Sequence, residues 1–333
     1  MLHNQIEWND SLRLAIADVD ETIAGVYEVA EPEMHTELQA LLEEDVKLFM
    51  VSGGSLAQIK RRVTDGLDPH VRKNILISHC SGAEVWGFDE AGELRDKPFY
   101  SIYEETFSQE AKTAWRTVVN QVIDEFGLRT HGVRPKPEFK KAYQDPLDVM
   151  IEDRGPQITF EFVNATHLTE DQVEQLPYDV PESAIGTYDL REPVLERTQA
   201  LLKEANVPVT PRLAGNFALD LAIEGVSKKS SIEIVMQSPE VLAAIGLQQS
   251  DIQDPSNLEI WGDKFSYMRG GTDRHMSEAV SPLVWSVDFR LEDPAEFLEG
   301  FNTVIWQGED HLHHGLLEYL KTRHIKGESK QTQ

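Results

Sequence analysis

The chain has 333 residues, of which 40% are hydrophobic, and its 58 acidic and 31 basic side chains give a formal net charge of −27. This length can bury one large core or two moderate ones, and so negative a surface disfavours nucleic acid and anionic lipid as partners. The single cysteine, Cys80, excludes a disulfide framework and a thiolate metal site. Because the polar residues 1–13 lack an apolar signal core and no apolar run is long enough to cross a bilayer, we expect a cytoplasmic protein.

The first 95 residues alternate short buried strands with helices. Apolar runs predict strands over 12–17, 46–51 and 74–78. Apolar residues at helical spacing predict helices over 32–44 and 56–63. This alternation is typical of a parallel sheet in an α/β domain.

The pattern changes near residue 95 and becomes α+β. We predict a long amphipathic helix over 108–126, a basic loop over 134–141, and paired strands over 149–152 and 157–163. A further helix is expected over 194–204. Hairpins and helices without strict alternation indicate a separate domain.

After Pro211 the chain again alternates buried strands with helices, as in the first 95 residues. Strands are predicted over 217–223, 258–261 and 284–287, with a helix from 230 to 236. We therefore expect a Rossmann-like parallel-sheet core formed by 1–95 and 212–325, an inserted α+β cap domain at 96–211, and a disordered polar tail at 326–333.

Two carboxylates follow the first predicted strand directly. Asp18 and Asp20 stand two residues apart, in Asp18-Val19-Asp20-Glu21-Thr22, and side by side they repel each other unless a cation or a shared proton compensates. The five residues alone also fit an ordinary polar turn. The rest of the sequence is therefore needed to distinguish a functional site from a turn.

Four other residues lie at the ends of predicted strands or at the start of a helix. Ser52 ends the second strand and precedes Gly53 and Gly54, whose N–H groups suit an anion. Lys228 opens a helix, Asp263 ends the strand over 258–261, and Asp273 follows in a glycine-rich stretch. Ligands of open α/β sheets bind at this carboxyl edge, and carboxylates are the ligands that Mg²⁺ favours. The joint pattern indicates a phosphate and metal site.

In order and context these motifs resemble those of the haloacid dehalogenase-like superfamily, most closely its capped Cof-like and phosphomannomutase-like branch. Asp-x-Asp-x-Thr at 18–22, a strand ending in Ser52, the helix-opening Lys228, and Gly262-Asp263 followed by Asp273 match its four motifs. The stretch 151–160 is similar to cap strands of that branch. Two positions depart from the pattern, because the family usually has Gly where Glu21 stands and often Asn where Thr272 stands.

The resemblance implies a role for each motif residue. Asp18 would be the nucleophile and Asp20 the general acid and base, while Ser52, Gly53 and Lys228 would bind the phosphoryl group, with Lys229 as the fallback for Lys228. Mg²⁺ would be held by Asp18, the Asp20 backbone carbonyl and Asp263, with Asp273 nearby or acting through water. The separation of Ser52 from Lys228 leaves roughly 100 residues beyond the core's need, enough for a small inserted domain.

Three functions stay open. The first is a phosphatase acting on a phosphorylated sugar or related metabolite, the second is a phosphomannomutase-like sugar phosphomutase, and the third is a non-catalytic sugar-phosphate-binding protein. Arg134, Lys141 and Arg154 are candidates for substrate contact, although a solvated loop is the preferred interpretation of the basic residues at 134–141. We interpret His311-Leu312-His313-His314 as surface histidines on a helix, not as a metal site.

Overall fold

The computed structural model describes residues 6–174, 176–180 and 185–331 and divides the chain into two units. The first unit comprises Met1–Ser101 and Val226–Gln333, and the second comprises Ile102–Gly225. Among the described helices, none is long and apolar enough to span a bilayer. Each unit contains its own sheet.

The first unit is built on an eight-stranded sheet in the order β13-β12-β11-β1-β2-β3-β4-β5. The pairings from β13 to β3 are parallel, and the last two, β3 with β4 and β4 with β5, are antiparallel. In chain order the strands are β1 Leu14–Ala17, β2 Lys47–Val51, β3 Ile75–His79, β4 Glu84–Gly87, β5 Tyr100–Ser101, β11 Leu258–Gly262, β12 Trp285–Asp288 and β13 Thr303–Ile305.

Strand β1 is buried on both faces because helices cover both sides of the sheet, as is usual for parallel sheets. Ala15 and Ala17 belong to one hydrophobic cluster, whereas Leu14 and Ile16 belong to the other, which follows from the two-residue period of a strand. The helices of this unit are α1 Pro32–Glu43, α2 Leu56–Arg62, α3 Pro69–Arg72, α9 Lys228–Gln237, α10 Pro239–Ala244, α11 Arg274–Ser277 and α12 Leu312–Gln331.

The second unit has a five-stranded sheet in the order β6-β7-β8-β10-β9. Its strands are β6 Arg129–His131, β7 Asp148–Asp153, β8 Gln157–Glu161, β9 Val209–Ala214 and β10 Ala218–Ile223. Helix α5 (Gln109–Phe126) buries Trp115 and three valines on one face and contacts α8 (Arg191–Glu204). The remaining helices are α4 Ile102–Thr106, α6 Lys136–Ala142 and α7 Glu170–Val173.

The α/β class with a parallel-dominated sheet is as predicted from the sequence, but three expectations are wrong. The strand predicted at 217–223 is β10, which pairs with β8 and β9 in the second unit and does not return to the first sheet. Consequently the second unit runs from 102 to 225, not from 96 to 211. Apolar alternation identifies a strand but not the sheet that receives it.

The other two errors concern short segments. The basic loop predicted at 134–141 contains helix α6, which begins at Lys136 next to Pro137, a residue favoured in a first helical turn. The polar tail predicted to be disordered from 326 continues α12 as far as Gln331, while 332–333 lie outside the described residues.

Candidate active site

Three of the predicted residues follow adjacent strands at the same edge of the first sheet. Asp18 comes directly after β1, Ser52 after β2 and Asp263 after β11, and β1 lies between the other two strands. All three side chains are buried. Because parallel strands present their carboxyl ends at one edge, residues far apart in sequence meet there.

Lys228 joins two of the carboxylates. Its Nζ lies 2.7 Å from Asp18 Oδ1 and 2.7 Å from Asp273 Oδ1, and the side chain is 7% exposed. The neighbouring Lys229 is 40% exposed, and its ion pair with Glu233 is long at 3.9 Å. Lys228, and not Lys229, is therefore the lysine that contacts the carboxylates. A buried ammonium between two carboxylates offsets charges that would otherwise repel.

The start of α9 fixes the position of Lys228. Ser227 caps the helix by accepting a hydrogen bond from the Ser230 N–H, and Lys228 is the first helical residue. Gly82, with φ of 113°, lies against this cap, where an added Cβ would fall 2.2 Å from the Ser227 carbonyl oxygen. Only glycine tolerates both this backbone conformation and this approach.

Asp273 organises the loop that follows β11. Its Oδ2 accepts hydrogen bonds from the backbone N–H groups of Asp263 and Lys264, each at 2.9 Å, while its Oδ1 faces Lys228. Gly262 leaves room for this carboxylate, because a Cβ there would lie 2.7 Å from Asp273 Oδ2. Both Asp273 oxygens therefore have protein partners.

Asp263 keeps one oxygen unpaired. Its Oδ2 accepts from Arg290, whose Nε donates at 3.0 Å and whose Nη2 lies 2.5 Å away. Among the described residues, Asp263 Oδ1 is buried and has no hydrogen-bond partner. A buried unpaired carboxylate oxygen is costly unless a ligand satisfies it.

The three carboxylates fit a divalent cation. One oxygen from each of Asp18, Asp263 and Asp273 lies within 4.8 Å of the others, and all three side chains are buried. Oxygen donors of this kind suit Mg²⁺. The unpaired oxygen of Asp263 favours that residue as a direct ligand, whereas the occupied oxygens of Asp273 favour a supporting role.

Burial raises the pKa of two of these groups. The pKa of Asp18 rises to about 6, because desolvation outweighs the attraction of Lys228 and the nearby Asp273 and Asp20 add repulsion. The pKa of Asp263 rises to about 7 for the same primary reason, with repulsion from Asp273 next. Both carboxyl groups therefore hold a proton more readily than a solvated aspartate does, and a nearby cation favours their ionised forms.

Asp20 forms an ion pair with Arg62. The distance from Arg62 Nη2 to Asp20 Oδ1 is 2.7 Å, and the arginine is fully buried at the end of α2. Arg62 also donates to the carbonyl oxygens of Gly25 and Glu28, each at 2.8 Å. One side chain thus holds both Asp20 and the segment that follows it.

Glu21 adopts a left-handed backbone conformation with φ of 65°. This is the position at which the resembling family usually has glycine, and a residue with a Cβ there costs about 1–2 kcal/mol. The turn is closed by the Glu21 N–H, which donates to the Ala24 carbonyl at 2.8 Å. The Glu21 carboxylate lies 3.6 Å from Arg290, the same arginine that contacts Asp263.

Ser52 and Gly53 form the turn between β2 and α2. Ser52 Oγ accepts a hydrogen bond from the Gly54 N–H at 3.0 Å, and Ser55 caps α2 by accepting from the Gln58 N–H. The start of α2 thus lies just after the carboxyl end of β2, a place where the N–H groups of a first helical turn suit an anion.

The predicted substrate-contact residues lie in the second unit. The side chain of Arg154 is 5% exposed and forms an ion pair with Glu152 at 2.7 Å. The Arg134 guanidinium lies 5.5 Å from the centre of the Tyr143 ring, and Lys141 is exposed on α6. Of the three, only Lys141 matches the solvated surface expected from the sequence.

Sequence reasoning missed Arg62 and Arg290. Arg290 follows β12 at the same carboxyl edge as Asp263, so the edge rule would have found it. Arg62 ends a helix in an ordinary basic stretch, and no local pattern marks it. Its role arises only where the chain brings residues 20, 25 and 28 back against the helix.

No family model matches the chain, and no curated protein matches it significantly. Solved structures do. The C-terminal domain of a trehalose-6-phosphate phosphatase from C. albicans matches with a TM-score of 0.53 and 12% identity, over 95% of this chain and 93% of that one. A protein from Eubacterium rectale matches with a TM-score of 0.51 and 13% identity, over 94% of this chain and 99% of that one.

At such identities the likeness concerns the fold. It extends over nearly the whole of both chains in each comparison. The four motifs expected from the sequence stand at the sheet edge where ligands of α/β folds bind. The chain therefore has the fold of the haloacid dehalogenase-like superfamily.

Proposed function

We propose that the chain is a magnesium-dependent phosphoric monoester hydrolase that acts on a phosphorylated sugar or a related small metabolite. One observation carries the proposal. Lys228 contacts Asp18 and Asp273 at 2.7 Å each, at the strand edge where Asp263 keeps an unpaired buried oxygen. A buried lysine ammonium next to a carboxylate nucleophile and a metal site supplies the positive charge that stabilises phosphoryl transfer.

Asp18 is the nucleophile of the proposed reaction. Its carboxylate attacks phosphorus and forms an aspartyl-phosphate as the bond from phosphorus to the leaving oxygen breaks. Burial raises the pKa of Asp18, whereas the neighbouring Lys228 favours the ionised carboxylate, which is the form that attacks. Lys228 offsets the negative charge between Asp18 and the transferring group.

Asp20 is the general acid and general base of the proposed reaction. It donates one to the leaving oxygen in the first step and takes one from the water that attacks the aspartyl-phosphate in the second, which frees Asp18 and releases phosphate. Arg62 holds the Asp20 carboxylate at 2.7 Å. The Ser52 hydroxyl and the N–H of Gly53 bind phosphoryl oxygens in this proposal.

Asp18, Asp263 and the Asp20 carbonyl are the proposed holders of Mg²⁺, with Asp273 keeping the loop and Lys228 in place. When bound there, the ion supplies positive charge that lowers the repulsion between an anionic substrate and the carboxylates. The name of the C. albicans protein, a trehalose-6-phosphate phosphatase, supports a sugar phosphate as the substrate class.

A panel of sugar phosphates tests the proposal when phosphate release and isomer formation are both measured with Mg²⁺. We expect phosphate release without isomerisation, and an Asp18→Asn preparation serves as the control for contaminating phosphatases. Isomer formation without net phosphate release would identify a phosphomutase instead. Tight binding without any turnover would identify a non-catalytic binding protein.

A further inference from the structure

Three side chains of the first unit converge away from the carboxylate cluster. Glu31 precedes α1, and His313 and His314 belong to the first turn of α12. One ligand atom from each lies within 4.8 Å of the others. The distance from His314 Nδ1 to Glu31 Oε2 is 3.5 Å, and the two imidazole rings have centroids 4.2 Å apart.

The donor set differs in kind from that of the carboxylate cluster. Two imidazole nitrogens and one carboxylate oxygen are a combination typical of Zn²⁺ sites that keep a fourth position for water. Imidazole also suits Ni²⁺ and Cu²⁺, whereas Mg²⁺ prefers oxygen ligands alone. The side chains of Glu31 and His314 are both close to half exposed, so an ion and a water molecule can reach them.

His313 is prepared to act as a ligand. Within the described part of the chain, its Nδ1 is out of contact with solvent and has no hydrogen-bond partner. Among the described residues, no hydrogen bond at Nδ1 therefore accounts for the position of this ring.

We propose that Glu31, His313 and His314 form a second metal site, for Zn²⁺ or another late first-row divalent ion. Such an ion ties α12 to the segment that precedes α1. That segment also supplies the Gly25 and Glu28 carbonyls that accept hydrogen bonds from Arg62. The site thus joins residues 31 and 313, far apart in sequence, and binding stabilises the folded chain by mass action.

Calorimetric titration with Zn²⁺ tests the site independently of catalysis. Excess Mg²⁺ is present throughout so that the carboxylate cluster is occupied, and thermal unfolding is recorded with and without Zn²⁺. We expect one bound equivalent and a higher melting temperature. Addition of Co²⁺ in place of Zn²⁺ should give the visible absorption of a low-coordinate nitrogen and oxygen site.

His314→Ala and Glu31→Gln change exposed side chains and serve as the main variants, with His313→Ala as a third. Each should weaken Zn²⁺ affinity by at least about tenfold and remove the stabilisation, since even outer-shell partners are worth roughly that much. His70→Ala is the matched control, because His70 also lies near a glutamate, 3.4 Å from Glu43, but without a second histidine. Unchanged Zn²⁺ affinity in the folded variants, or no stoichiometric binding to the unaltered protein, would overturn the proposal.

Discussion

The two units of the chain differ in how their buried charged side chains are grouped. At the edge of the first sheet, Asp18, Lys228, Asp263 and Asp273 are all buried and contact one another. In the second unit, charged side chains are held as separate pairs, some buried, such as Arg154 with Glu152 at 2.7 Å, and others near the surface. Burial of charge is costly and needs compensation, whereas surface pairs are worth little. The first unit thus gathers several buried carboxylates around one lysine, and we expect the chemistry there.

The largest effect short of losing the nucleophile is expected from Lys228→Ala. Removal of its ammonium group leaves Asp18 and Asp273 uncompensated, so kcat/KM should fall by roughly 10²–10³-fold. Steady-state kinetics with p-nitrophenyl phosphate and Mg²⁺ measures the loss. Lys229→Ala is the matched control, since that side chain is partly exposed and should leave kcat/KM nearly unchanged. Equal losses in both variants would contradict the assignment.

Glu259 tests how burial affects the pKa of a carboxyl group that the proposed reaction does not use. It is fully buried in β11, accepts hydrogen bonds from Trp261 and Tyr319, and has a pKa raised to about 7, mainly by desolvation. Because the pKa of Glu259 is near 4.5 in the unfolded chain and about 7 in the folded one, its contribution to stability is fully present below pH 4.5. This contribution is lost as the pH rises toward 7.

As the pH rises from about 4.5 to 7, the free energy of unfolding should therefore fall less in Glu259→Gln than in the unaltered protein. The expected difference from the unaltered protein is on the order of 3 kcal/mol. Urea unfolding at several pH values gives the measurement. Parallel pH profiles in the two proteins would show that Glu259 does not titrate in this way.

Arg62→Met tests whether a buried arginine positions the general acid. Because Arg62 contacts Asp20, Gly25 and Glu28, we expect kcat to fall about tenfold with less change in KM. Arg61→Met, at an exposed neighbouring position, is the control. A pure loss of folded protein with normal kcat would refute the positioning role.

The smallest effect is expected in the second unit. Arg134→Ala and Lys141→Ala should change kcat with p-nitrophenyl phosphate by less than about twofold, because neither residue belongs to the unit that contains the proposed nucleophile. Any effect should appear in KM for a sugar phosphate. A large loss of kcat in either variant would erase the contrast between the two units.

The sequence predicts which side chains come together where one rule applies. Asp18, Ser52 and Asp263 each end a buried strand, and parallel strands bring such ends together. The rule does not apply to Arg62, which contacts Asp20 and two backbone carbonyls far from it in sequence. The apolar pattern at 217–223 also identified a strand but not the sheet to which it belongs. Glu31 and His313 lie near each other because α1 and α12 pack together, and the spacing of the histidines along the chain does not reveal this contact.

The most direct test of the central claim is the capture of phosphate on Asp18. Turnover mixtures are quenched in acid, where an acyl phosphate survives, and digested for peptide mass spectrometry. We predict one phosphate on the peptide that contains Asp18, and neither this adduct nor measurable turnover in a folded Asp18→Asn variant. Full activity in Asp18→Asn, or phosphate found on another residue, would contradict the account.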